Sequence, residues 1–169
     1  MKAICKLLVL AFFSTFLFSS CSADSEENII QDTKTNTESS VVYTYNSIEL
    51  ETLNLINNYR KSSGLNTLEK INFISVKSQE HVNYMITNNV VNHNDFVSRS
   101  NEIIRVLGAR NVSENIAYNY ASPAAAVNAW LKSSIHKENI VGNFTHFGIS
   151  VREDAATGKK YYVNIFAKM

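Results

Sequence analysis

Near residue 146 the apolar pattern of this chain changes period, and that change limits the folds open to it. Downstream, Phe147, Ile149 and Val151 alternate with Gly148, Ser150 and Arg152. Tyr161, Val163 and Ile165 then alternate with Tyr162, Asn164 and Phe166, and "EDAATGKK" between the two runs is a polar, glycine-containing turn. Upstream the apolar residues recur at helical spacing instead. A period of 3.6 suits a helix and a period of 2 suits a strand. The spacing therefore predicts helices packed on a C-terminal antiparallel hairpin, an α+β domain.

The helical part is punctuated by its own stop and start signals. Asn46 with Glu49 three residues on forms a capping box, Leu50, Leu53, Ile56 and Tyr59 share one face, and Gly64 supplies a stop. A second helix is expected over 73–88, with Asn72 as its cap and Val82, Met85 and Ile86 on its buried side. A third, "SRSNEIIRVLG", ends at Gly108. The fourth begins at Ser122, a natural N-cap, with Pro123 at the first helical position, where a missing N–H costs nothing. Its apolar stripe is Ala126, Val127, Trp130 and Leu131, and the large indole of Trp130 belongs in the core. After it, His136 falls in a short turn.

With 169 residues, 45% of them hydrophobic, the chain can build one globular domain with a real core and not two domains. A formal charge of +1 with scattered basic residues lacks the electrostatic footprint of a nucleic-acid binder, so no nucleic acid is expected as a partner. Lys2 and Lys6 precede the apolar run "LLVLAFFSTFLF" and then "SSC", which makes residues 1–20 a secretory signal. The run is short for a membrane span. "LFSSC" resembles the lipobox of bacterial lipoproteins, with Phe18 where leucine is usual. That resemblance implies lipidation of Cys21 and a protein held to a membrane of the cell envelope through an N-terminal lipid. Cys5 would leave with the signal, so the mature chain has no intramolecular disulfide and must rely on its core. Residues 21–46 are Cys21 and a polar stretch without sustained apolar period, a flexible tether to a domain at 47–169. The acidic "SADSEE" after Cys21 resembles a tag for export to the outer cell surface.

The residues able to carry chemistry are His81, His93, Glu114, His136 and His146, with Ser133 and Ser134 as hydroxyls. No HExxH, CxxC, GxSxG or phosphate-cradling loop accompanies them. His93 and His136 lie in irregular polar stretches, where functional side chains tend to be mounted. His81, inside a helix, reads as a surface or packing residue, and His146 as a solvent-facing or strand-capping one. Asn115 reads as structural, bridging backbone groups.

Taken in order, "NH…SR", "ENIA", "WxxSxxH" and "FGISV" resemble the CAP superfamily, or SCP domain, in its short bacterial form, over residues 47–169. The resemblance implies a three-layer α-β-α sandwich with a small antiparallel sheet. It also implies a cleft in which two histidines and acidic residues meet and, in some members, bind a divalent cation. Matched by motif, the histidines are His93 and His136, and the acid of "ENIA" is Glu114, a metal ligand or a base acting on bound water. The family's second glutamate, three residues after the tryptophan, is Ser133 here. Two neutral imidazoles can hold zinc or a similar ion, but a catalytic zinc takes three protein ligands, so a weak site is expected. Alternatively "ENIA" forms a helical turn in which Glu114 only orients the cleft. Three functions remain open: a binding module for an extracellular ligand, a metal-dependent hydrolase of peptides using Glu114, and a lipid or sterol carrier.

Overall fold

A computed structural model describes residues 41–169; the expected signal, Cys21 and the expected tether up to residue 40 lie outside the described residues. The elements run α1 (Ser47–Ser62), β1 (Glu69–Lys70), α2 (Asn72–Asn88), α3 (Phe96–Leu107), β2 (Asn111–Tyr118), α4 (Pro123–Lys132), α5 (Ser134–Val141), β3 (His146–Glu153) and β4 (Lys160–Lys168). Among the described residues no helix is long and apolar enough to cross a membrane.

The sheet has four strands in the order β1-β3-β4-β2. The expected hairpin is β3 against β4, with Ile149 opposite Asn164. Two strands extend it: β2 pairs antiparallel with β4, and the two-residue β1 pairs parallel with β3. The sheet is therefore mixed rather than purely antiparallel.

Helices cover both faces, which makes the three layers. Leu53, Ile56, Trp130 and Ile140 from α1, α4 and α5 meet Phe147, Ile149, Tyr162 and Phe166 on one face. Phe73, Ile74, Met85 and Ile103 from α2 and α3 meet Tyr161, Val163 and Ile165 on the other. Each strand alternation thus divides two cores, rather than core from solvent, and residues 161–167 of β4 are all buried. Gly148 is small for a reason: a Cβ there would lie 2.6 Å from the Ile74 carbonyl carbon and against the Ser75 nitrogen. The α2 backbone rests directly on β3 at that point.

Several caps match the sequence and several do not. The Asn46–Glu49 capping box is complete, Ser122 Oγ accepts from Ala125 N, and Gly108 closes α3 with φ of 71°. Asn72 does not cap α2; Ile71 holds that position, and the Asn72 amide donates to the Val41 carbonyl at 3.0 Å. "ENIA" is not a helical turn but the middle of β2, and the stretch carrying His136 is the helix α5. Residues 41–46, whose composition suggests tether, pack on the domain, with Tyr43 only 8% exposed.

Replacing Gly148 with alanine is expected to cost roughly 1–3 kcal/mol, because α2 must move off the sheet. Urea denaturation of the two proteins measures this, and an unchanged midpoint would show that the contact is loose.

Candidate functional site

Strand β2 forms one edge of the sheet, and its pleat sends neighbouring residues to opposite faces. Glu114 therefore lies under α2 and α3, and Asn115 under α4 and α5. Two adjacent residues thus support two candidate walls, one on each face of the sheet edge.

On the first wall Arg99, from α3, places Nη2 at 3.0 and 2.9 Å from the two carboxylate oxygens of Glu114. Arg99 Nη1 donates to the Asn94 carbonyl at 2.6 Å, which ties down the loop between α2 and α3. His93, in that loop, has Nδ1 at 2.8 Å from Glu114 Oε1. An ionised carboxylate only accepts, so His93 Nδ1 carries a proton and donates it to Glu114. The Glu114 side chain is 1% exposed and that of His93 is 52% exposed. The buried pair thus holds an imidazole that faces solvent. A depression of about 850 Å³ opens beside it, bounded by His93, Asn94, Phe96, Val97 and Asn101.

On the second wall Asn115 Nδ2 donates to the His136 carbonyl at 3.0 Å, and Asn139 Nδ2 donates to Asn115 Oδ1 at 2.8 Å. The sheet thereby grips α5 by its backbone. The His136 ring meets Ser133 Oγ through Nδ1 at 2.8 Å. Burial, and then the nearby charge of His93, hold the His136 pKa below its usual value. Both Nε2 atoms lack a hydrogen-bond partner among the described residues.

The other candidates are placed elsewhere. His81 is 2% exposed, and its Nε2–H donates to the Asn92 carbonyl at 2.7 Å. It is a packed residue that fixes the start of the His93 loop. His146 opens β3, with Nδ1 2.8 Å from Thr145 Oγ1, in a separate depression that also includes Arg60 and Lys168. Arg99 and Asn139 complete the two polar networks, and the sequence alone assigned neither a role. The "SR" of the family pattern is a signal for Arg99, but only the fold shows its partner.

Arg99→Leu should strand the buried Glu114 charge and lower stability by about 3–5 kcal/mol; urea unfolding at neutral pH tests this. For His136, a folded-state pKa below the ordinary 6.5 means that the folded protein binds fewer protons than the unfolded chain. Its contribution to stability is present above that pH and is lost as the pH falls through it. An NMR titration of the His136 ring is expected to give a midpoint below 6.5, and a midpoint above it would contradict the burial described.

Comparison with known proteins bears on what this cleft belongs to. The model of the Cysteine-rich secretory protein family, CAP, matches residues 53–166. The chain is 27% identical over 134 residues to the uncharacterized protein YkwD of Bacillus subtilis, covering 77% of this chain and 52% of that protein. It thus spans about half the length of that relative. An outer surface protein of Borrelia burgdorferi has the same fold, with a TM-score of 0.61 and 22% identity over 70% of this chain and 90% of its own. So has an extracellular SCP-domain protein of Bacillus anthracis, with a TM-score of 0.63 and 24% identity over 72% and 40%. The described residues contain no cysteine, and this chain is a CAP-family domain held together by its two cores and its polar network.

Proposed function

We propose that the mature protein is a lipid-anchored extracytoplasmic CAP domain that binds an extracellular ligand in the cleft between His93 and His136 and does not hydrolyse it. The observation that carries this reading is the state of Glu114. Both of its oxygens accept from Arg99, one also accepts from His93, and the side chain is 1% exposed. A general base must reach the proton it removes. Glu114 instead neutralises Arg99 and orients His93, so the acid on which the hydrolase reading depends acts as a support.

The same geometry bears on a divalent cation. Among the described residues no three His, Cys, Asp or Glu side chains group to hold a metal ion. With Glu114 committed and Ser133 in place of a carboxylate, the donor set does not fit a resident zinc with three protein ligands. It offers two imidazole nitrogens, one of them oriented by a carboxylate as metal-binding histidines usually are. We assign the pair to ligand contact, with any cation held weakly and completed by solvent or by the ligand. The carrier reading needs an apolar groove, and the groove between α1 and α4 mixes Leu55, Val127 and Leu131 with Asn58, Ser62 and Asn128.

The anchor rests on the signal and lipobox resemblance, and its direction agrees with the solved relatives, one an outer surface protein and one an extracellular protein. Replacing Cys21 with serine is expected to move the protein from the membrane fraction to the soluble fraction, as followed by immunoblot. Calorimetric titration with zinc is expected to give weak heats that vanish in the His93→Ala, His136→Ala double variant. Equal heats in the two proteins would exclude the histidine pair. Peptide-library turnover that is lost in Glu114→Gln would restore the hydrolase reading.

A further inference from the structure

Beneath α5 the sheet carries polar side chains that the cleft does not use. Asn164, in the middle of β4, is 0% exposed, and neither its amide oxygen nor its amide nitrogen has a hydrogen-bond partner among the described residues. By strand alternation it points to the face of Tyr162 and Phe166, an apolar core roofed by Trp130 and Ile140. A buried amide without partners costs about 1–3 kcal/mol per group, so a partner is strongly favoured there.

The surroundings indicate what that partner is. Asn115 sits directly opposite Asn164 across the β2–β4 ladder. Its amide is engaged with α5, through the His136 carbonyl and Asn139. Ser113 lies two residues along β2 on the same face, opposite Phe166, and its buried Oγ also has no partner among the described residues. Diagonal cross-strand neighbours stand about 7–8 Å apart, too far for Asn164 and Ser113 to bond directly and suited to one or two water molecules. A buried water needs two to four polar partners, and Asn164, Ser113 and the unused lone pair of Asn115 supply them.

We infer that Asn164 and Ser113 anchor a buried water site between the sheet and α5, and that this site helps to position His136. The link runs from Asn164 through water to Asn115, and from Asn115 to the backbone of His136. Asn164 is thus a positioning residue, remote from any ligand. This inference concerns the support of α5 and stands whether or not the cleft binds a metal.

Water-to-amide ROE spectroscopy on the ¹⁵N-labelled mature protein tests the site directly. Cross-peaks from long-lived water to the Asn164 side-chain NH₂ are expected, and their absence overturns the proposal. Asn164→Leu, similar in shape and without polar atoms, tests the link. It is expected to lower the melting temperature, to speed hydrogen exchange in α5 roughly five- to tenfold, the loss of about one net hydrogen bond, and to shift the backbone amide resonance of His136 while leaving that of His146 in place. A melting temperature that rises would show that Asn164 is merely an unsatisfied amide, and an unmoved His136 amide resonance would remove the positioning role. If the leucine variant does not fold, Asn164→Ala, which also removes the amide, takes its place with the same readouts and the same expected outcomes.

Discussion

A sheet roofed on both faces still has two open edges, and in this domain helix side chains close them. Along the outer edge of β3, β1 pairs with residues 146 and 147, Ser75 Oγ then accepts from Ile149 N at 3.1 Å, and Glu49 accepts from Val151 N at 2.8 Å. Asn46 Nδ2 donates to the Val151 carbonyl, so the capping box of α1 also stands in for a strand. On β2, Trp130 Nε1 donates to the Ile116 carbonyl at 2.8 Å, and Asn139 approaches the Glu114 carbonyl at 3.4 Å. Unpaired strand edges invite pairing with other chains, and these side chains block that while clamping α1, α2, α4 and α5 to the sheet.

The clamps explain how a domain without a disulfide keeps a defined cleft. Glu49, fully buried, accepts from Tyr43, Asn46, Val151 and Arg152, and joins the N-terminal segment, α1 and β3. Arg60 donates to the carbonyls of Asn66, Ile140 and Gly142, so the end of α1 holds the end of α5. Arg99 with Glu114 does the same for α3 and β2. Each is a buried charge held by several hydrogen bonds, the condition under which burial is tolerated, although Arg99 Nε has no partner among the described residues. The cleft histidines are therefore mounted on a stiff frame rather than on free loops.

Much of this was legible in the residues. The capping box, the Ser122–Pro123 start, Gly108 and the alternation of β3 and β4 are local signals, and each produced its local structure. Strand β2 was not legible, because Glu114 and Asn115 are polar yet buried and so break the alternation that marks a strand. Nor was α5, whose eight residues bury only Ile140 and so carry almost no apolar stripe. The two-residue β1 is below the length at which any pattern exists. The histidine pair and Glu114 were found through an ordered family pattern, whereas Arg99 and Asn139 act on partners far away in sequence.

By itself, then, the sequence determined the helices with legible caps, the C-terminal hairpin and the family, because each is written in short runs of residues or in their order along the chain. Tertiary structure alone decided that Glu114 supports His93 and that Asn115 holds α5. It also decided that both faces of the sheet are interior. Those outcomes depend on which charges and amides find partners across the fold, and a buried polar group declares its role only when its partner is in place.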